Sequence, residues 1–162
     1  MDKFVKHNKI QNKTILDIEN ETFNQEEQEL IDDFDTNLSR EIIMKEKNDI
    51  LQKLQMKNTE LRKMHKKLKN YRYISQINEF KIGNYIRWIN IKKAVETEEV
   101  KLTNGGFICD IIENSSGDPN LLCRNTFNNI FEVVLTECVV FQKLNNHEKV
   151  IMSILQYINN AE

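Results

Sequence analysis

The chain has 162 residues, a net charge of −2 and 30% charged residues, a length that fits one small domain with an appendage or two small modules. The near-neutral balance excludes binding of a polyanion by overall charge alone, and no apolar run reaches the roughly 20 residues that span a bilayer. The first residues, Met1 to Asn8, lack the apolar core of a secretion signal. We therefore expect an intracellular protein, cytoplasmic or inside a virus particle, with no membrane partner.

Residues 1–25 are polar and rich in asparagine, and their apolar residues keep no regular period. Chain termini are poorly ordered unless other parts of the protein hold them. This composition predicts a flexible N-terminal arm. The alternative is that Ile15, Leu16 and Ile18 dock on a partner.

The next region, 26–72, contains neither glycine nor proline. Its apolar residues recur at steps of three, four and seven, which is the spacing of one face of a helix. We predict one long α-helix over 26–72. Such a helix would be roughly 70 Å long, longer than the small domain beside it, so part of it must project or pair with another helix.

A heptad repeat runs through the second half of this predicted helix. Leu54, Leu61 and Leu68 lie seven residues apart at one core position, and an asparagine at the other core position favours a two-stranded coiled coil. The predicted oligomerisation residues are Leu51, Leu54, Asn58, Leu61, His65 and Leu68. The expected first partner is thus a second copy of the chain, as a dimer. A bend between two helices near 38–42 stays open, because Ile43 and Ile50 do not fit the frame.

The end of the predicted helix, 53–72, carries eight basic residues against one acid, Glu60. One interpretation is a solvated basic end that complements the helix dipole. The other is contact with nucleic acid or with an acidic protein surface. The bases are spread around the predicted helix, which favours the first interpretation.

Short strand-like segments joined by turn residues fill 79–144. Phe80, Ile82 and the run 85–91 predict a first strand pair or one long strand bent at Gly83, with Trp88 in the core, followed by a charged loop over 92–99. Asn104-Gly105-Gly106 predicts a hairpin turn between 100–102 and 107–112. Three more strands are expected at 121–124, 130–135 and 138–141, with a tight Asn128-Asn129 turn between the first two. Together these segments predict a small antiparallel β-barrel or roll of five or six strands.

An apolar stripe over 145–160 predicts a closing amphipathic helix. A helix this short is unstable alone, so it should pack on the barrel or on a partner. The predicted fold class is α+β: a long N-terminal, coiled-coil-like α-helix, a small antiparallel β-barrel and a C-terminal amphipathic helix.

Signatures of catalysis are missing from the sequence. It has no glycine-rich phosphate loop and no nucleophile elbow. The three histidines and three cysteines are not spaced as metal ligands. We predict that the protein is not an enzyme, with no catalytic residue, no cofactor, no metal and no small-molecule substrate.

Aromatic and basic residues lie close together in sequence where the predicted helix meets the barrel. Small barrels use such residues to stack bases or to grip peptides. The candidate binding face comprises Arg62, Lys63, Lys66, Lys67, Lys69, Arg72, Tyr73, Tyr85 and Arg87. In the alternative, Tyr85 and Trp88 belong to the core and the bases are merely solvated.

The runs Phe80–Ile89 (FKIGNYIRWI) and Leu102–Ile108 (LTNGGFI) resemble small barrel domains of SH3 or Tudor type. They also resemble short modules in proteins of nucleocytoplasmic large DNA viruses. The resemblance covers about 65 residues. It implies a virion component such as a minor capsid or scaffold protein. A Tudor-type aromatic cage is not implied, because the sequence does not place several aromatic residues at one rim.

These observations favour a non-enzymatic structural or interaction protein that self-associates through the long helix and presents the barrel. Its expected setting is viral assembly, with itself and other structural proteins as partners. The alternative is a nucleic-acid-binding module that uses the basic helix end 53–72 and the aromatic face of the barrel.

Overall fold

Residues 39–161 are described by a computed structural model, and they contain four α-helices, six β-strands and two 3-10 turns. In chain order the elements are α1 (Arg40–Gln52), α2 (Asn58–Lys67), β1 (Tyr71–Ile74), a 3-10 turn (Ile77–Glu79), β2 (Tyr85–Asn90), α3 (Ile91–Thr97), β3 (Gly106–Glu113), β4 (Pro119–Arg124), β5 (Ile130–Val133), a second 3-10 turn (Leu135–Glu137), β6 (Cys138–Lys143) and α4 (Asn146–Asn160).

The described residues fall into two units. Met44–Asn145 forms one unit and holds the whole sheet, while 39–43 and 146–161 belong to the other. The predicted flexible arm, 1–25, and the first part of the predicted long helix, 26–38, lie outside the described residues.

The prediction of one continuous helix up to residue 72 is wrong. Helix α1 is 13 residues long and ends at Gln52, and the chain then turns through Gln55, whose φ of 55° lies in the left-handed region. The residue before α2, Lys57, is extended with ψ of 148°. Strand β1 begins at Tyr71, inside the range predicted as helix.

The apolar residues of the predicted heptad bury against the chain's own sheet. Leu51 of α1 and Leu68 at the end of α2 are fully buried in a cluster with Met64, Ile89 and Phe141. We call this the second cluster. Two short helices that each turn one apolar face toward the same sheet show the same spacing of three, four and seven residues as a coiled coil. The spacing therefore did not distinguish these two helices from the long, coiled-coil-like helix, and the prediction of that helix is wrong.

The other predicted oligomerisation residues lie around the second cluster or on the surface. Leu54 and Leu61 pack at its margin, and Asn58 is the exposed first residue of α2. His65 Nε2 lies 3.2 Å from Asn48 Oδ1. Self-association stays a prediction, but Leu51 and Leu68 have no surface left to offer a second copy.

The predicted β-barrel or roll of five or six antiparallel strands is an open six-stranded antiparallel sheet, so the barrel form of that prediction is wrong. The six strands follow the order β1-β6-β2-β3-β4-β5, which leaves β1 and β5 as edges. Strand β2 pairs with β3 through two residue pairs, Tyr85 with Phe107 and Ile86 with Gly106, but with β6 through five. Strand count is visible in a sequence, whereas closure depends on pairing between the first and last strands.

Each face of the sheet has its own apolar cluster. The first cluster buries the side chains of Ile74, Phe80, Ile86, Ile108, Leu121, Cys123, Val133 and Val140. The second cluster lies beneath α1 and α2. Because successive strand residues point to opposite faces, β2 supplies Ile86 to one cluster and Ile89 to the other.

Two local predictions around β2 and β3 are also wrong. The charged segment expected as a loop is helix α3, whose first turn is capped by Asn90 Oδ1 accepting from Lys93 N at 3.0 Å. Leu102 forms a single bridge, to Ile89, and β3 pairs with β2 and β4. Asn104-Gly105-Gly106 therefore ends a long connection instead of closing a tight hairpin.

The three strands predicted between 121 and 141 are confirmed as β4, β5 and β6. The turn expected at Asn128-Asn129 is confirmed too. Asn128 has a φ of 64°, and Asn125 Oδ1 accepts from Phe127 N and Asn129 N.

Helix α4 occupies the place of the predicted closing helix. Ile151, from its apolar stripe, is buried, while Tyr157 and Ile158 near its end are exposed. Among the residues that the structure describes, no helix is both long and apolar enough to cross a membrane.

Candidate functional site

The outer surface of α2 is strongly basic. Leu61, Met64 and Leu68 take the inner side of this helix and pack in the second cluster. The remaining positions therefore face solvent, and the exposed bases among them are Arg62, Lys63, Lys66, Lys67 and Lys69. We call these five residues the basic face. Arg62, Lys63, Lys66 and Lys67 thus lie on the side of α2 that faces away from the sheet, and Lys69 follows just after the end of the helix.

The described residues do not neutralise the basic face. None of its five cations has a carboxylate of the described residues within ion-pair distance, and no acid occurs between Leu61 and Asn78. Residues 44–145 carry 17 Lys and Arg against 12 Asp and Glu, a net charge of +5. Exposed cations at this density create a positive potential that attracts polyanions.

The end of α2 is fixed by a buried lysine of α1. Lys47 Nζ donates to Leu68 O and to Tyr71 O, both at 2.9 Å, so it links the end of α2 to the start of β1. Burial lowers the pKa of Lys47. Burial also lowers the pKa of His65, and the Lys47 charge adds to that shift. The basic face therefore stands on a rigid support.

Two members of the predicted binding face do not join this surface. Arg72 is buried, and its Nη1 donates to Glu79 Oε2 at 2.9 Å. Beside that pair, buried Gln142 accepts from Lys81 N and donates to Glu79 O. Tyr73 packs against Phe141, with ring centroids 6.1 Å apart. Arg72 and Tyr73 thus stabilise the fold where β1 meets the first 3-10 turn.

A second surface feature is an open cleft lined with aromatic side chains, with a volume of about 270 Å³. Strand β2 supplies Tyr85 and Trp88, and the β4–β5 hairpin supplies Phe127 and Phe131. The Trp88 and Phe131 rings lie 5.3 Å apart at 36°. Phe127 is 83% exposed. We call this site the aromatic cleft.

The far wall of the cleft is the segment 103–105, which hydrogen bonds hold against β2. Thr103 N donates to Trp88 O at 3.0 Å, and Trp88 N donates to Thr103 Oγ1 at 3.1 Å. Arg87 Nε donates to Thr103 O at 2.7 Å, and the Tyr85 hydroxyl donates to Asn104 O at 2.5 Å. Tyr85 and Arg87 of the predicted binding face therefore build this wall.

Two glycines allow the cleft walls to approach each other. Gly105 has a φ of 95°, and a Cβ there would meet Ile86 O and, at 2.7 Å, the Tyr85 ring. A Cβ on Gly106 would lie 2.9 Å from the Phe131 ring. Since no other residue lacks a Cβ, the Gly-Gly pair is needed for close packing rather than for a hairpin.

Unused polar groups also line the cleft. The Asn104 side chain, Asn125 Nδ2 and the Thr126 hydroxyl make no hydrogen bond to another described residue. No charged side chain lines the cleft. A ligand of the cleft would therefore be held by ring contacts and oriented by amide or hydroxyl hydrogen bonds.

Tyr71 connects the basic face to the cleft. It follows Lys69 by two residues, and its backbone carbonyl accepts from Lys47. Burial raises the pKa of Tyr71, the Arg87 charge opposes that shift, and Tyr85 adds to it. Tyr71 pairs with Lys143 of β6, and Ile86 of β2 pairs with the neighbouring Gln142. Tyr71 and Tyr85 therefore lie two strand spacings apart, roughly 10 Å.

The histidines, cysteines and acids of the described residues are not arranged as a metal ion requires. Those residues contain no group of three histidine, cysteine or acidic side chains placed to hold a metal ion. The cysteines are unpaired, with Cys109 exposed, Cys123 buried and Cys138 between the two.

The sequence did not indicate Phe127 and Phe131 as site residues. They lie 39 or more positions beyond Trp88, and only the sheet order brings them to β2. The sequence predicts Trp88 in the core. In the structure Trp88 packs against the first cluster and also lines the cleft. A usable signal was a phenylalanine at the tip of an asparagine-rich hairpin, where polar residues are the rule.

Comparison of the chain with protein-family models, with curated proteins and with solved structures finds no match.

Proposed function

We propose that the protein is a non-enzymatic nucleic-acid-binding protein that holds the phosphate backbone on the basic face of α2. The observation that carries the proposal is the set of five exposed cations on one side of the helix, with no carboxylate partner among the described residues. Lysine and arginine placed in this way bind phosphates and release condensed counterions, which supplies most of the affinity of sequence-independent binding.

The aromatic cleft favours a nucleic acid over an acidic protein surface. Both ligands carry negative charge, but bases also offer flat faces that stack on aromatic side chains. An acidic protein surface has no such groups. The strand register supports the proposal, because β1 and β2 both pair with β6 and bring Tyr71, next to the basic face, within roughly 10 Å of Tyr85 in the cleft wall.

Self-association and a setting in viral assembly remain predictions. The continuous helix that motivated the dimer is wrong, so the proposal does not depend on either of them.

The test measures the affinity of the full chain for a labelled oligonucleotide at low salt, by fluorescence anisotropy. Neutralising three cations, as Lys63→Gln, Lys66→Gln and Lys67→Gln together, should weaken binding at least about tenfold and reduce the slope of log affinity against log salt by about 2, since each lost phosphate contact contributes about 0.7 on single strands. All three side chains are exposed, so the variant should fold.

A matched control removes the same charge elsewhere. Lys92, Lys93 and Lys101 are exposed lysines outside α2, and their triple change to glutamine should weaken binding far less. Equal losses in the two variants would mean that overall charge, not the basic face, drives binding. Absence of binding by the unmodified protein at low salt, or equal affinity for polyglutamate, would overturn the proposal.

A further inference from the structure

We infer that the aromatic cleft takes up an unstacked base of a single-stranded nucleic acid. This inference rests on the proposed function, because it names the form of nucleic acid that the basic face would hold. The cleft, and Phe127 above all, would bind the base, whereas the basic face binds the phosphates without help from the cleft.

The aromatic residues of the cleft provide a stacking surface. Trp88 and Phe131 form its floor, with rings 5.3 Å apart, and Phe127 stands at its rim with 83% of its surface exposed. A large apolar side chain this exposed is costly in water, and clustered exposed aromatic residues mark binding sites. Aromatic side chains stack on any base, because every base has a π-face.

The size and polarity of the cleft match a single base. Its volume of about 270 Å³ lies just below the roughly 300–1,000 Å³ of small-molecule sites, which suits one planar ring system. Its lining is uncharged, as are the bases. Asn104, Asn125 and Thr126 have unused donors and acceptors, and asparagine amides pair well with base edges.

The position of the cleft matches a strand whose backbone lies on α2. Tyr71 is two residues beyond Lys69, a span of at most about 7 Å. Tyr71 pairs with Lys143 of β6, and Ile86 of β2 pairs with the neighbouring Gln142, so Tyr85 lies two strand spacings from Tyr71, roughly 10 Å. A strand that leaves the last cations of the basic face is therefore close to the Tyr85 wall of the cleft. Bases of a duplex are stacked and paired and do not reach such a site, whereas those of a single strand do.

Trp88 makes the inference directly measurable, because it is the only tryptophan of the chain and lies in the cleft. The full-length protein is titrated at low salt with oligothymidylate, with a duplex of the same length, and with an abasic oligomer that keeps the phosphates and lacks the bases. We expect oligothymidylate alone to quench Trp88 emission. It should also bind roughly 5- to 100-fold more tightly than the abasic oligomer, as one stacked base provides.

The variant Phe127→Ala should lower the affinity for oligothymidylate by roughly 5- to 100-fold and leave the affinity for the abasic oligomer unchanged. Phe127 is too exposed for its loss to unfold the protein. Ile130→Ala is the matched control, since Ile130 is 67% exposed on the same hairpin and does not line the cleft. It should bind as the unmodified protein does.

The outcomes separate the inference from the proposed function. Binding of all three oligomers with equal affinity and with silent Trp88 emission would overturn the base site and leave the basic face standing. An unchanged affinity of Phe127→Ala for oligothymidylate would overturn the base site as well. If none of the oligomers binds, the proposed function fails and the inference fails with it.

Discussion

Single residues in this protein often serve two neighbouring elements at once. Lys47 belongs to α1, yet its ammonium group holds the last carbonyls of α2 and the first strand residue in place. Gln142 of β6 is fully buried because its amide accepts from Lys81 N and donates to Glu79 O. Buried polar groups are stable when they are hydrogen-bonded, and these two fix the joints around β1.

The buried thiol of Cys123 predicts a pH dependence of stability. Burial raises the pKa of Cys123 from an ordinary value of 9.0 to about 12. Above pH 9 the unfolded chain loses this proton while the folded protein keeps it, so ionisation stabilises the unfolded state and the free energy of unfolding falls between pH 9 and 12. From pH 8 to 10, urea unfolding in reducing buffer should show a loss about 1.4 kcal/mol smaller for Cys123→Ala than for the unmodified protein.

The comparison variant is Cys109→Ala, because Cys109 is exposed and adds only the smaller, Coulombic part of the shift in the Cys123 pKa. It should lose nearly as much stability between the two pH values as the unmodified protein does. If Cys123→Ala also shows the full loss, the Cys123 thiol is not buried as the structure describes.

At the scale of elements, the helix break at 53–57 decides between two architectures with the same apolar spacing. A left-handed conformation costs a residue with a side chain roughly 1–2 kcal/mol, and glycine avoids that cost. Gln55 has a φ of 55°, so Gln55→Gly should leave the free energy of unfolding unchanged or raise it by up to about 1 kcal/mol. Thermal or urea unfolding measures this effect.

A glycine inside α1 provides the comparison. Lys45 is exposed and lies well within that helix, so Lys45→Gly should cost about 1 kcal/mol. A similar loss for Gln55→Gly would mean that residue 55 is helical, and the long helix would have to be restored.

The same scale shows what the sequence could and could not predict. The strands β4, β5 and β6 and the turn at Asn128-Asn129 follow from local signals, namely short apolar runs and asparagine pairs. Local signals do not reveal what Leu51 and Leu68 pack against, because helical spacing is the same whether a helix packs on a partner or on its own sheet. Asn90 caps the start of α3, and an asparagine before a short helix is a local sequence signal for such a cap.

The candidate site was predicted in part, for the same reason. Five of its bases and two of its β2 residues, Tyr85 and Arg87, lie where local patterns indicate. Arg72 does not belong to the site, because it forms an ion pair with Glu79, and sequence spacing does not reveal such a pair. Phe127 and Phe131 reach the cleft through the pairing of β4 with β5 and of β2 with β3, which is contact between residues distant in sequence.

At the scale of the whole molecule, the net charge of −2 conceals two opposite halves. Residues 44–145 carry +5, whereas the remaining residues of the chain hold 6 Lys and Arg against 13 Asp and Glu. The overall balance therefore says little about partners. The charge of the local surface determines which partners bind there, because charges farther apart than roughly 8–10 Å are screened at physiological salt.

The salt dependence of oligonucleotide binding by the unmodified protein tests the central claim most directly. If three to five cations of the basic face contact phosphates, a plot of log affinity against log salt concentration for single-stranded oligothymidylate should be linear with a slope of about −2 to −3.5. A slope near zero, or no binding at the lowest salt concentration, would contradict the account.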